Sequence, residues 1–353
     1  MKTKKNIIKR NITKKIKNTS KNEFLNKLKD GFFIDGHLHL IPKVRLKTFY
    51  IHKPDNDYMH YLQSMNYDII KYKQLIKLTD WKPCGIVPCT IQPTNFFTKI
   101  KETNLITDMD KKFILGYQAA IPVHNGKIAV NTFLQSIKKY KNLIKVARIL
   151  LSHESICENI TKNLDTKIFM EGLNELGKHN IIWKWSGDKS HFKFIFDLTQ
   201  KCKNTKFIID HMLLTAKSKE LSFKEWQTFM LKISKLNNIV GIDISGIKQI
   251  KKNKKISSIF LKKFIKETIN IFGYEKIILG SNWPVDYSLS YKQSNYLTRK
   301  NKVNTNVVKT YDETFNIIYE CCKELNLSNK AICDIFRNNV ITICNLNLKV
   351  KYL

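Results

Sequence analysis

The sequence predicts an α/β protein with the (β/α)8 TIM-barrel architecture. Eight short apolar runs alternate along the chain with amphipathic segments of helical periodicity. The runs are apolar almost throughout, which is typical of strands buried on both faces of a parallel sheet. A chain of 353 residues is long enough to form such a barrel as a single unit. The runs read, in order, FFIDGHLHL, CGIVPCTIQ, FILGYQAAIP, IKVARILL, IIWKWSG, KFIIDHML, NIVGIDISG and KIILGSNWP.

Helix-like segments lie between most of these runs and after the last one. Their apolar residues recur every three to four positions, as expected for helices that pack one face on a sheet. Ser328 stands where the N-cap of the last helix is expected. The segments read DIIKYKQLIKL, NTFLQSIKKYKNL, IFMEGLNELGKHN, HFKFIFDLTQKC, FKEWQTFMLKISKL, SSIFLKKFIKETINIFG, DETFNIIYECCKELN and SNKAICDIFRNNVITIC.

An open, doubly wound sheet is the competing architecture. It would need a glycine-rich phosphate loop after an early strand, whereas the chain has only 12 glycines and shows no such loop. We therefore expect two parts: a basic, disordered tail over residues 1–29 and one barrel over residues 30–350. The first 22 residues carry nine basic residues and no acid, without the apolar stretch of a signal peptide.

The net charge of +33 has two explanations: binding to nucleic acid or an anionic surface, or a compositional drift toward lysine, asparagine and isoleucine over the whole chain. Beyond the tail the basic residues are scattered at helix-surface spacing, and no nucleic-acid-binding motif is visible, so we expect a small-molecule substrate instead. No stretch approaches the roughly 18 apolar residues of a membrane span. The eight cysteines form no C-x-x-C pair, which indicates free thiols and a cytoplasmic location. Whether the chain forms a homo-oligomer is left open.

The carboxyl ends of the predicted strands carry the residues with chemical potential, and in a barrel these ends meet on one face. His37 and His39, two apart, share a face of the first strand. His211 ends the sixth strand, so three imidazoles converge as a plausible set of ligands for a divalent metal such as zinc or manganese. They could equally polarise a substrate carbonyl without a metal. The other candidates are Arg148, Lys184, Trp185, Asp243, Ser245, Asn282, Trp283 and Asp286.

Six elements of the sequence resemble the amidohydrolase superfamily, in particular the branch of sugar-lactone and pyrone-dicarboxylate lactonases. The correspondence runs in order from about residue 32 to residue 346. The elements are IDGHLHL, VARILL, FIIDHML, NIVGIDISGI, ILGSNWPVD and IFRNNVITICNL. The resemblance implies a barrel with a hydrolytic site at the strand ends. It assigns the metal-binding histidines to His37, His39 and His211, and a substrate-holding role to Arg148.

The chain departs from the family at the eighth strand, where Asn282 stands in place of the aspartate that orients or deprotonates the attacking water. An amide cannot accept a proton as a general base. Three outcomes stay open. Asp286 takes the role of the base; Asn282 only orients a water that a metal acidifies; or the chemistry is altered or lost.

Further departures lie on the fifth and seventh strands, where Lys184 and Asp243 are expected to form an ion pair across the barrel mouth. We expect Lys184, Trp185, Trp283 and Asp243 to bind substrate, and Asn282, Asp286 and Arg148 to act in catalysis. The predicted function is a hydrolase that opens a lactone or related cyclic ester. The alternative is an altered or inactive barrel that serves as a binding or scaffold protein.

Overall fold

All eight apolar runs form strands in the computed structural model of the chain. The structure describes residues 23–41, 67–91, 95–151, 165–214, 221–254, 257–287 and 304–353. The strands are β1 Ile34–Leu38, β2 Gly85–Pro88, β3 Tyr117–Ala119, β4 Ile144–Leu150, β5 Ile182–Ser186, β6 Phe207–Ile209, β7 Ile239–Ile244 and β8 Ile277–Leu279.

The strands pair in parallel and in chain order around a ring. β3 to β8 form one continuous six-stranded sheet, and β1 pairs with β2. Parallel bridges between Ile86 and Ile114 and between Cys89 and Gln118 join β2 to the region of β3. The segment after β8 returns to β1, where the backbone N–H of Asn282 donates to the backbone carbonyl oxygen of His37 at 2.8 Å. These contacts give the (β/α)8 barrel that the sequence predicts.

Helices follow the strands and cover the outside of the sheet. Ser328 caps its helix as predicted, because its side chain accepts from the Ala331 amide. The helices are α1 23–29, α2 Ile69–Ile76, α3 Phe96–Met109, α4 Gly126–Ser136, α5 Thr166–Lys178, α6 Phe192–Lys201, α7 Phe223–Ile233, α8 Ile247–Lys254, α9 Ser258–Phe272, α10 Thr305–Glu324, α11 Asn329–Cys333 and α12 Asn339–Ile343.

The predicted boundary between tail and barrel at residue 30 falls inside the folded part of the chain. Residues 23–29 form α1, and its Phe24 and Leu28, four apart on one helical face, are both buried in the core. The apolar spacing of these two residues is the reason that the fold begins earlier than predicted. Residues 1–22 lie outside the described residues, so the predicted disorder of that segment stays a prediction.

The barrel interior begins with an apolar floor at the amino ends of the strands. Its residues are Ile34, Val87, Val146, Ile182, Ile208 and Ile278 from the strands, closed from below by Val340, Ile341, Cys344 and Leu346. Cys333 and Cys344 are buried, as the sequence predicts, and each cysteine that the structure describes is free. Within the described ranges no helix is long and apolar enough to cross a membrane.

Candidate active site

Directly above the apolar floor lies a charged layer, formed by Arg148, Lys184, Asp210 and Asp243. The first three stand two positions after the floor residues Val146, Ile182 and Ile208, so the alternation of a strand points them into the barrel as well. All four are buried. The same inward face of the strands therefore changes within two residues from apolar to ionic.

The charged layer is neutral as a set, because its two cations pair with its two anions. Arg148 Nη2 lies 2.8 Å from Asp210 Oδ2, and Lys184 Nζ lies 3.1 Å from Asp210 Oδ1 and also contacts Asp243. The expected pair of Lys184 with Asp243 is thus present. Burial alone would raise the pKa of Asp210, but Arg148 and the other nearby cations hold that pKa well below its usual value. Burial also acts to raise the pKa of Asp243, but Lys184 and His37 lower it below its usual value, so both carboxylates stay ionised.

Above this layer, His37 is oriented by Asp243. His37 Nδ1 lies 2.5 Å from Asp243 Oδ2, and because the carboxylate only accepts, the ring donates through Nδ1. Gly280 lets its segment approach the backbone of β1 at His37, since a Cβ at position 280 would stand 2.4 Å from the Cβ of His37 and 2.5 Å from its backbone nitrogen. The Nε2 atom of His37 then points away from the charged layer toward the barrel mouth.

His39 is oriented in the same way by a backbone carbonyl. Its Nδ1 donates to the carbonyl oxygen of Cys89 at 2.9 Å, which leaves Nε2 as the second ring nitrogen. The Nε2 atoms of His37 and His39 face each other at 3.3 Å. Two imidazoles held through Nδ1, with Nε2 directed to one point, form the arrangement found around metals ligated by histidine.

Asn282 places an oxygen beside His39. Its Oδ1 lies 3.1 Å from His39 Nε2, and its Nδ2 donates to Asp286 Oδ1 at 2.9 Å. Asp286 Oδ2 in turn accepts from the Lys248 amide at 3.0 Å. Asp286 therefore fixes the amide so that the oxygen of Asn282, and not its nitrogen, faces the histidines. Asn282 holds this position with a φ of 54°, in the left-handed region.

The two Nε2 atoms have the spacing of neighbouring ligands of one divalent transition metal. In tetrahedral coordination with bonds of about 2.0–2.1 Å, neighbouring nitrogens stand roughly 3.3 Å apart, which matches the observed separation of the two Nε2 atoms. Burial and Lys184 lower the pKa of His37, but Asp243 and Asp210 outweigh them and raise it to about 10. Without a metal, the proton that this pKa places on His37 can lie between the two Nε2 atoms. A metal would have to displace that proton.

His211 lies beside His37, but it is not grouped with His39 around the paired Nε2 atoms. Its ring stacks on that of His37 with centroids 4.7 Å apart, and its Nδ1 lies 2.8 Å from Ser245 Oγ. The ring can sit there because Gly246 has no side chain; a Cβ would stand 2.8 Å from His211 Nδ1. Burial lowers the pKa of His211 to about 4, so the imidazole is neutral near pH 7. As a possible metal ligand it groups with His37 and Asp210, and not with His39.

Comparison with known proteins gives one family match and a set of structures with the same fold. The amidohydrolase family model matches residues 169–300, and several solved structures have the same fold. The resemblance to the amidohydrolases is confirmed. No curated protein matches the sequence of the chain.

Three of these structures illustrate the range of proteins that share the fold. An amidohydrolase from Burkholderia multivorans, solved with bound zinc, is 11% identical, covers 90% of this chain and 100% of its own, and gives a TM-score of 0.65. A candidate 2-pyrone-4,6-dicarboxylic acid hydrolase from Pseudomonas putida is 12% identical over 90% and 99% of the two chains, with a TM-score of 0.58. A 2,6-dihydroxybenzoate decarboxylase from Rhizobium is 12% identical over 89% and 99%, with a TM-score of 0.51.

One of the predicted substrate-binding residues is misplaced. Trp185 does not face the candidate site, because it stands next to the inward-facing Lys184 and therefore points to the opposite face of β5. Its ring stacks on Phe169 and Phe207, and its Nε1 donates to Thr199 on α6 at 2.9 Å. Trp185 packs the sheet against the helices, so its predicted contact with substrate is wrong.

The structure brings the other predicted residues to the barrel mouth but engages several of them within the protein. Asp243 holds His37 and Lys184, and both terminal nitrogens of Arg148 contact protein atoms. The Trp283 ring packs on Tyr67 and Tyr72, and the Trp283 carbonyl accepts from the His39 amide at 2.5 Å. A substrate anion would have to compete with these internal partners.

Sequence reasoning missed Cys89 and gave Asp210 no role. Asp210 directly precedes His211, and its position two residues after Ile208 was a usable signal for an inward direction. Cys89 follows β2 without any flanking motif, and its nearness to the site depends on how β2 packs beside β1. That packing is tertiary information, which a single sequence does not contain.

Proposed function

We propose that the chain is a metal-dependent hydrolase that opens a lactone or a related cyclic ester. The observation that carries the proposal is the pair of Nε2 atoms of His37 and His39, 3.3 Å apart, with both Nδ1 atoms engaged as donors. This arrangement supports a site for a divalent metal such as zinc, the ion present in the Burkholderia multivorans structure. The likeness to a candidate pyrone-dicarboxylic acid hydrolase supports a cyclic ester as the substrate class.

A metal at this point would lower the pKa of water to near 7 and polarise the carbonyl under attack. The residues of the chain supply the rest of the chemistry. Asn282 Oδ1 accepts a hydrogen bond from the attacking water and so orients it, but the amide takes no proton. Asp286 keeps Asn282 in that orientation, since both of its carboxylate oxygens accept protein N–H groups.

We assign the acceptance of a proton from the attacking water to His211, whose low pKa means that it holds this proton only transiently. It is neutral near pH 7, lies beside the point shared by His37 and His39, and is held by Ser245. In the next step, the protonated imidazole donates that proton to the leaving alcohol oxygen as the ring opens. Asp286 is a weaker candidate for the base because its oxygens already serve as acceptors.

The experiment is an activity screen of the purified protein with a panel of lactones, with and without added zinc or manganese. We expect metal-dependent ring opening that His39→Ala abolishes. His179→Ala, at the C-terminal end of α5 and far from the site in the fold, is the matched control and should keep activity. No turnover on any lactone, together with no bound metal, would overturn the proposal.

The same preparation separates the two rival functions. If a non-catalytic binding role is correct, the natural protein is inactive and Asn282→Asp creates activity. If the chemistry resembles that of the Rhizobium decarboxylase, aromatic carboxylates lose carbon dioxide while lactones remain intact. Activity of the unaltered protein on lactones excludes the first rival, and product analysis excludes the second.

A further inference from the structure

Cys89 is a buried thiol at the site that neither the proposed function nor the predicted ligand set uses. It follows β2 and is completely buried. The possible ligand atoms of His37, His39 and Cys89 lie within 4.8 Å of one another. The backbone carbonyl of Cys89 also accepts the hydrogen bond that orients His39. Cys89 therefore contacts the site through its main chain as well as its side chain.

The sulfur of Cys89 accepts a hydrogen bond from the guanidinium of Arg148. Arg148 Nη1 lies 2.9 Å from Cys89 Sγ, while Nη2 of the same guanidinium contacts Asp210. A guanidinium has no acceptor atom, so Nη1 donates to the sulfur and favours its thiolate form. The side chain is therefore oriented like a ligand supported by an outer hydrogen bond, and not like an apolar core cysteine.

The charge of the site favours an anionic ligand. The charged layer sums to zero, and the imidazoles of His37 and His39 are neutral when they bind a metal through Nε2. A divalent ion would then add two uncompensated positive charges to a buried site, which is energetically costly. A thiolate would cancel one of those charges, and thiolate is also the protein ligand that zinc favours along with imidazole.

We propose that Cys89 is a third protein ligand, so that His37, His39 and Cys89 form a His2Cys set for a thiophilic divalent ion such as zinc or cobalt. The inference rests on the proposed metal at the two histidines. Tetrahedral ligands stand roughly 3.3–3.6 Å apart, so binding draws the three donor atoms together by less than about 1.5 Å from their present outer limit. The fourth position stays open for water or substrate.

The test is spectroscopic and uses the intact metal-loaded protein. Cobalt loading should give a thiolate-to-cobalt charge-transfer absorption in the near ultraviolet. Cys89→Ser should lose this band, and Cys202→Ser, which alters another buried free cysteine, should keep it. X-ray absorption of the zinc-loaded unaltered protein should show one sulfur at about 2.3 Å besides nitrogen and oxygen neighbours. This second measurement needs no variant, so it remains decisive if Cys89→Ser fails to fold.

The outcomes separate the two proposals. If the protein binds one zinc per chain and X-ray absorption shows only nitrogen and oxygen neighbours, the role of Cys89 is overturned. The proposed metal site at the two histidines then remains. A sulfur neighbour that persists in Cys89→Ser also overturns it. Failure of the unaltered protein to bind zinc or cobalt overturns both proposals. A sulfur signal in the unaltered protein that Cys89→Ser removes supports the inference, whatever substrate the enzyme proves to use.

Discussion

The apolar floor and the charged layer occupy the same strands, two residues apart, and have opposite physical characters. On β5 the floor residue Ile182 is followed by Lys184, and on β4 Val146 is followed by Arg148. The floor gains stability from removing apolar surface from water, which requires no specific partner. The charged layer gains from specific pairs, and each of its members is costly to bury without the others.

This difference indicates how the barrel separates stability from chemistry. The floor keeps the strands together and can tolerate changes of shape that conserve volume. The charged layer orients His37 and pairs the guanidinium that contacts Cys89, so its geometry determines where the site atoms stand. Changes in the two layers should therefore have effects of different kind as well as of different size.

The largest effect is expected for Lys184→Met, which removes one cation from the charged layer. It removes the lysine partner that Asp243 and Asp210 share, so the free energy of unfolding should fall by about 3–5 kcal/mol. Denaturant unfolding followed by circular dichroism measures the change. Lys206→Met, at an exposed lysine before β6, is the control and should stay within about 0.5 kcal/mol of the unaltered protein. Equal stability of the two variants would show that the layer is not an ionic unit.

Asp243→Asn should act mainly on the metal. The amide removes the charged acceptor of His37 Nδ1, so zinc affinity should fall by about 10–100-fold, the usual cost of losing such a support. Competition with a chromophoric chelator measures the affinity. If Asp243→Asn binds zinc as tightly as the unaltered protein, Asp243 does not orient His37 toward a metal.

Acid should weaken the charged layer and leave the apolar floor unaffected. The cations Lys184 and Arg148 keep the pKa values of Asp243 and Asp210 below their usual range, although burial opposes them. The stability from such carboxylates is complete above the unfolded pKa of about 3.9 and is lost as the pH falls through the folded value.

Between those two pH values each carboxylate contributes a slope of up to about 1.4 kcal/mol per pH unit. Asp243→Asn should therefore lose stability less steeply below pH 4 than the unaltered protein. Urea titrations at several pH values give the two slopes. Equal slopes would mean that Asp243 is not ionised in the folded protein.

The smallest effect is expected in the apolar floor. Ile182→Val removes one buried methylene and should lower the free energy of unfolding by about 0.5–1.5 kcal/mol while leaving zinc affinity unchanged. Ile168→Val, at a partly exposed position of α5, is the control and should cost less. A loss of zinc affinity in Ile182→Val comparable with that in Asp243→Asn would mean that the two layers are not separate.

The fold was predictable because the strands of a barrel are buried on both faces and leave unbroken apolar runs in the sequence. Helix α3 was not, because polar side chains make up most of its buried face, among them Glu102, which accepts hydrogen bonds from Thr90 and Tyr117. Its apolar periodicity is correspondingly weak.

At the site, the strand ends predicted which residues meet, but not how they are paired. That Asp286 fixes the Asn282 amide, or that Arg148 contacts Cys89, depends on backbone turns and packing between distant strands. The misplacement of Trp185 was avoidable, since its neighbour Lys184 had already been placed inside the barrel. The roles of the remaining site residues in catalysis stay predictions.

The residues that close the apolar floor come from the region of Val340 to Leu346, long after the first strand has been made. During synthesis, the inward side chains of β1 to β8 must wait for this segment to emerge before water is excluded from beneath them. A ribosome-bound chain that stops before residue 340 would expose an open ring of isoleucine and valine. Such an intermediate is a natural target for chaperones that bind apolar surfaces.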